Sequence, residues 1–149
     1  MKKSYSLIWC TVLVFALTAA GCSSKKVKPL SERIAKAWTA ESVKEGTVVV
    51  YTRGGSTNTR PAYSSFRLTL TSPSTVTYTE FDGTTFTGTW ALSGDTKLIL
   101  SGLTPPPTGS GGTLEFTIVS VEDTKLVLKR NTASPKTGNS INEYTLTAP

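Results

Sequence analysis

From residue 30 onward the chain repeats with a period of two. Phe66, Leu68 and Leu70, then Val76 and Tyr78, then Phe86, Gly88, Trp90 and Leu92 share one face. Leu98 and Leu100, Leu114, Phe116 and Ile118, and Leu126 and Leu128 continue it. The alternate positions are largely Thr, as in Thr75, Thr77, Thr79 and Thr85, Thr87, Thr89. Strict alternation is the mark of a half-buried strand, where a helix would repeat every 3.6 residues. Turn residues cut the pattern into eight predicted strands: 37–51, 64–71, 75–81, 84–92, 96–101, 113–121, 124–130 and 141–147. Asp82-Gly83 is a strong hairpin signal, because a type I′ turn needs two positive-φ residues. Ser93-Gly94-Asp95 and Glu122-Asp123 are similar tight returns. Tight returns make sequential neighbours antiparallel, and a sheet with one wet and one dry face hides its edges by closing on itself. The predicted fold is all-β, an up-and-down antiparallel meander of about eight strands closed into a small barrel.

The first strand is ambiguous: Glu45-Gly46 is either a bulge in one bent strand or the turn of a further hairpin, which would make nine. Upstream, Leu30, Ile34 and Trp38 at i, i+4 and i+8 predict one or two helical turns entering the barrel. Thr occupies 26 positions. Its β-branched backbone preference and its hydroxyl suit the solvent side of a strand, so the excess is architectural.

The first 29 residues read differently. Lys2 and Lys3 precede an apolar run over 7–20 that ends in Ala19, Ala20, Gly21 and Cys22. A run of this length is a secretory signal, short of the roughly 20 residues a spanning helix needs. Ala19-Ala20-Gly21-Cys22 resembles the lipobox of bacterial lipoproteins, departing from it at Ala19, where Leu is usual. The resemblance implies cleavage before Cys22 and acylation of its thiol, hence a membrane partner through lipid; ordinary cleavage after Ala20 or Gly21 would leave an unpaired thiol in an exported protein. Ser23 rather than Asp after the Cys points toward the outer membrane of the cell envelope. The expected organisation is a signal at 1–21, a flexible tether at 22–29 and a domain at 30–149.

That division changes the meaning of the charge. The whole chain has 16 Lys+Arg against 10 Asp+Glu, +6. Lys2, Lys3, Lys25, Lys26 and Lys28 lie before the domain, which keeps 11 basic and 10 acidic residues. No basic surface fit for nucleic acid remains. There is no His, which removes the Ser-His-Asp and Cys-His pairs and the His-containing zinc sites. Glu122-Asp123 lacks the alternating ligands of a calcium loop, and Gly109, Gly111 and Gly112 are not followed by the helix or Gly-Lys-Ser/Thr of a phosphate cradle. Pro105 to Pro107 read as a stiffened loop, with a polyproline II turn presented to a partner as the alternative. No catalytic residues, cofactor or metal are expected.

Trp38 on the first strand, then 77–84 (Thr-Tyr-Thr-Glu-Phe-Asp-Gly-Thr), 87–92 (Thr-Gly-Thr-Trp-Ala-Leu) and 97–100 (Lys-Leu-Ile-Leu), resemble the lipocalin-like domains of Bacteroidetes-type lipoproteins. The likeness covers residues 33 to 147 and departs at Ala37, where that family often has Gly. It implies a small calycin-type barrel on a lipid anchor and brings no catalytic residues with it.

Strand parity places the three long loops, 53–63, 102–112 and 131–140, on one rim. That rim is the predicted ligand site, because binding concentrates on loops held by a rigid scaffold and in barrel mouths. Its candidates are Arg53, Arg60, Tyr63, Arg130 and Lys136, facing Asp82, while Glu45, Asp95, Glu122 and Asp123 are assigned to the other rim. Such a mouth would suit an apolar carboxylate or an anionic glycan, unless these are ordinary solvated loop charges. The candidate interior is Phe66, Tyr78, Glu80, Phe86, Gly88, Trp90 and Phe116. The aromatics fill much of it, Gly88 alone leaves room, and Trp90 reads as a core anchor. Glu80 shares the face of Val76 and Tyr78, so it points inward near the mouth or stays solvated at the strand end. Three functions remain at this level: a lipid-anchored binding protein for a small hydrophobic ligand, a glycan or a peptide; an interaction module with a solid barrel and a protein partner; and, weakest, an enzyme using Glu80.

Overall fold

The computed structural model describes residues 27–149, so the signal, Cys22 and most of the tether lie outside the described residues. One helical turn, α1 (Leu30–Ile34), follows Pro29. Nine strands come next: β1 (Ala37–Glu45), β2 (Val48–Thr52), β3 (Arg67–Thr71), β4 (Thr75–Thr79), β5 (Thr85–Ser93), β6 (Lys97–Thr104), β7 (Leu114–Val121), β8 (Lys125–Arg130) and β9 (Asn142–Thr147). All pairings are antiparallel, the order is β2-β1-β3-β4-β5-β6-β7-β8-β9, and β1 also pairs with β9. That last pairing closes eight strands into a barrel and leaves β2 as an extra.

The ambiguous first segment is therefore a hairpin, turning at Gly46 with φ 62°. The same edge of β1 serves two partners. Ala37 to Thr39 pair with β3, and Ser42 to Glu45 pair with β2. At the helical turn, Trp38 lies in β1 and its indole Nε1 donates to the Ile34 carbonyl at 2.9 Å, tying α1 to the barrel.

Register keeps the two faces separate across strands. Leu68, Tyr78 and Phe86 stand opposite one another inside, and Thr69, Thr77, Thr87 and Thr104 outside. The interior is solid. Phe86 stacks on Tyr78 with ring centroids 5.8 Å apart, Tyr78 meets Phe66 at 5.6 Å, Phe66 stacks on Tyr144 at 4.9 Å, and Tyr144 meets Phe116 at 6.2 Å. Buried Leu68, Leu70, Leu98, Leu100, Leu114, Leu126, Leu128 and Leu146 surround this column. An eight-stranded barrel is narrow enough for side chains to fill, and here they do.

Gly88 leaves no room inside, contrary to the sequence expectation. A Cβ on it would meet the Ser101 carbonyl oxygen at 2.5 Å and that of Gly102 at 3.1 Å. The register between β5 and β6 shifts between Thr87 and Thr89, and Gly102 carries φ 61°. Gly88 thus exists for a close backbone approach at a bulge. Gly88→Ala should lower stability by about 2–3 kcal/mol, since the clash is with main chain and cannot be relieved by a rotamer. Urea unfolding checks this; an unchanged midpoint would show that the approach is loose.

The barrel has two unlike ends. The short connections 72–74, 94–96 and 122–124 lie at the end covered by α1, where Arg33 Nη2 donates to the Val121 carbonyl at 2.8 Å and Lys36 Nζ to that of Asp123 at 2.6 Å. Trp90 belongs to this end, its Nε1 donating to the Thr71 carbonyl at 2.9 Å. The opposite end carries the loops 80–84, 105–113 and 131–141 and the later part of 53–66; the parity expectation is corrected for this last loop, because β2 and β3 both run antiparallel to β1 and are therefore parallel, so the segment climbs from the outer wall at Arg53 to that end. It also carries Glu45, because the β1–β2 hairpin turns there; the sequence assignment of Glu45 to the short-turn rim is corrected.

Candidate functional site

Alternation along β8 turns Leu126, Leu128 and Arg130 inward, and along β4 it turns Val76, Tyr78 and the following Glu80 inward. Both runs end at the long-loop rim, so a charged pair lies where the aromatic column stops. Arg130 is 3% exposed and Glu80 5%. The corrected position of Arg130 is therefore inside the mouth rather than on its rim. Its Nη1 stands 4.0 Å from Glu80 Oε1, too far for a hydrogen bond. Arg130 Nε has no hydrogen-bond partner among the described residues, and Glu80 Oε2 is met from the loop side by Lys136. Buried charges this poorly bonded are costly, and such an exception in an otherwise well-packed interior marks a place where a further polar group belongs.

Lys136 closes the site from above. Its Nζ lies 2.7 Å from Glu80 Oε2 and 2.7 Å from Asp82 Oδ2, with the hydrogen bond directed at Asp82. Asp82 Oδ1 also accepts from Thr84 N at 3.0 Å, which fixes the β4–β5 turn. Burial works against charge on both groups, but their mutual bond prevails: the Asp82 carboxyl is held below its ordinary range and the Lys136 ammonium above its own. The loop presenting Lys136 is braced from within. Ser134 N donates to the Ser140 carbonyl, Thr137 Oγ1 donates to Asn142 Oδ1 at 3.1 Å, and Asn142 Nδ2 donates to the Tyr144 hydroxyl at 3.2 Å. Pro135 of this loop packs against Gly109, where a Cβ would come within 3.1 Å of the proline ring. Burial pushes the phenols of Tyr78 and Tyr144, beside the charged pair, above their ordinary range.

A second cluster sits at the same end. Arg60 Nε donates to Glu45 Oε2 at 2.9 Å and the Tyr63 hydroxyl to Glu45 Oε1 at 3.0 Å, while the Tyr63 and Phe81 rings are 4.9 Å apart. Burial first, then Tyr144 and Glu45, raise the Tyr63 phenol above its usual range. Arg53 is not in the mouth. It lies on the outer wall, with Nε donating to the Ala40 carbonyl at 3.1 Å and Nη2 to the same oxygen and to Thr39 Oγ1.

The expected positive mouth is thus corrected to a balanced one: Arg60 is matched by Glu45, and Arg130 and Lys136 by Glu80 and Asp82. The structure gathers Tyr78, Glu80, Arg130 and Lys136, places Phe86 under Lys136, packs Phe66 and Phe116 deeper in the barrel, and sends Gly88 and Trp90 elsewhere. Sequence reasoning missed Tyr144, Asn142 and Thr137. The alternation of Asn142, Tyr144 and Leu146 was signal enough to turn Tyr144 inward; burial of Asn142 and Thr137 depends on the loop's own hydrogen bonds. Among the described residues no group of His, Cys, Asp or Glu is placed to hold a metal.

No family model and no curated protein matches the chain. Two solved structures resemble it. A lipocalin-like protein from Bacteroides uniformis superposes with a TM-score of 0.52 at 14% identity, covering 78% of this chain and 99% of that one. An uncharacterized protein from Bacteroides eggerthii gives 0.48 at 13%, covering 77% and 98%. Closure by β1–β9, a turn of helix across one end and long loops at the other give this chain the lipocalin-like fold.

Proposed function

We propose that this is a lipid-anchored protein of the bacterial cell envelope that binds its ligand at the long-loop end and catalyses no reaction. One observation carries the reading: Glu80 and Arg130 are buried beneath the loops, 4.0 Å apart and without a hydrogen bond between them, with Arg130 Nε unmet, on top of a barrel that is otherwise packed with rings. The solid core leaves the rim for the ligand, so a polar group is the feature recognised. Against catalysis stands the chemistry of the cluster, two cations matched to two carboxylates without a nucleophile and positioned base.

The anchor rests on Ala19-Ala20-Gly21-Cys22 and the run before it, and Ser23 favours the outer membrane. Residues 27–30 enter at the end covered by α1, beside Asp95 and Ile118 to Val121. Fully extended, the stretch from Cys22 to Pro29 spans at most about 25 Å. An anchored barrel would hold its short-turn end near the bilayer and display its long loops to the aqueous side. The packed core also favours a second reading, an interaction module with a protein partner and no small ligand.

Native mass spectrometry of the full chain released from its own membranes separates the two. A bound molecule that disappears when Arg130 is replaced fits the first, and a bare protein fits the second. Cys22→Ser should abolish labelling by a fatty-acid analogue; labelling that persists would remove the anchor.

A further inference from the structure

We infer that the Glu80–Arg130 site takes a neutral, hydroxyl-bearing ligand, a sugar ring of a glycan, and that this ring displaces Lys136. The inference rests on the rim-binding reading and names its ligand class. Charge comes first. Glu80, Asp82, Arg130 and Lys136 sum to zero, so an anionic ligand meets two carboxylates and a cationic one meets two cations. A neutral ligand meets neither penalty.

Hydrogen bonding comes second. The unmet atom is one donor, Arg130 Nε; the acceptor Glu80 Oε2 is met by the Lys136 ammonium at 2.7 Å, and the gap from Nη1 to Oε1 is 4.0 Å. A carboxylate has no proton to give Glu80, and an ammonium has no lone pair for Arg130. A hydroxyl has both. Its oxygen can sit within hydrogen-bond reach of both side chains across such a gap, and adjacent hydroxyls on one ring serve the remaining donor and acceptor.

The third element is an apolar face. Phe86 is buried, and Lys136 Nζ lies 5.7 Å from its ring centroid. Lys136 lies on the 131–141 loop, and its side chain is 22% exposed against 7% for Glu80 and 3% for Arg130. Swinging it outward leaves its bond to exposed Asp82 available, uncovers the Phe86 ring for the C–H face of a sugar, and frees Glu80 Oε2.

The test applies the full-length lipoprotein in detergent micelles to a printed array of neutral and acidic oligosaccharides. The wild type should bind neutral members. Glu80→Leu/Arg130→Met, which removes both charges and keeps an apolar fill, should lose about tenfold or more in affinity, the loss of two or more charge-assisted hydrogen bonds. Lys136→Gln should bind the same members more tightly, by about threefold, because the competing cation is gone. Binding to acidic oligosaccharides alone, or to none, overturns the inference. So does full binding by a double variant that melts near the wild-type temperature. Should that variant not fold, Lys136→Gln decides, and unchanged or weaker binding by it overturns the displacement. A non-sugar molecule retained in native mass spectrometry would refute the sugar and leave rim binding standing, whereas a bare protein in both experiments removes both.

Discussion

Glu80→Gln is expected to cost about 3–5 kcal/mol of folding free energy, the range for removing one partner of a buried ion pair. The side chain volume is unchanged, so the loss reports charge. Arg130 stays in the barrel, 3% exposed and without the buried anion beside it, while Lys136 retains Asp82. For a domain of this size the melting temperature should fall by about 10 °C or more. The double replacement Glu80→Leu/Arg130→Met should recover most of that loss, since apolar residues of similar volume commonly replace a buried pair at little cost or with a gain. Urea unfolding of wild type, single and double variants measures both. A single variant as stable as wild type would mean that the pair is hydrated in solution, and a double variant worse than the single would mean that the charges hold the loops in place.

Trp38→Ala should be comparably damaging, about 3–5 kcal/mol, through loss of the largest fully buried side chain and the cavity it leaves. The consequence is local as well. The indole is the hydrogen-bonded link between β1 and Ile34, so amide exchange should accelerate over residues 30–36 before the rest of the barrel. Protection equal to wild type in α1 would show that Arg33 and Lys36 hold that turn unaided. The same substitution at Trp90 should cost less, because that ring lies at the border of the core, 6% exposed against 0% for Trp38.

The strand pattern was open to reading because each strand has one dry face. Val76 and Tyr78, or Leu126 and Leu128, reveal their direction by alternation alone, and Asp82-Gly83 marks the hairpin between β4 and β5, although only Gly83 of the two has a positive φ, so the turn is not the expected type I′. Closure into a barrel followed from edges that would otherwise stay open. The hairpin at Gly46 remained ambiguous because a bulge and a turn draw on the same left-handed glycine. Gly88 was misread for a related reason: the absence of a side chain says that space is needed, not what occupies it, and here a neighbouring main chain does.

The site was half visible. The inward direction of Glu80 follows from alternation, and so would that of Arg130, had its charge not suggested a rim. The fit of Lys136 between Glu80 and Asp82 depends on the chain returning to the same point across a sequence separation of 54 between Asp82 and Lys136, which no local pattern encodes. Glu45 was placed at the wrong end for the same kind of reason, since its position depends on which way the first hairpin turns.

Pairing of the first and last barrel strands also sets when the molecule can exist. Thr39 Oγ1 bonds the carbonyl of Thr147 across a sequence separation of 108 residues. Until residues 142–147 are made and free, β1 and β8 both present open edges, and the aromatic column lacks Tyr144. Nonlocal pairing of this kind places folding on the slow side, about milliseconds to seconds. A partly synthesised or partly translocated chain therefore stays unclosed, and only release of its final strand commits it to a compact form.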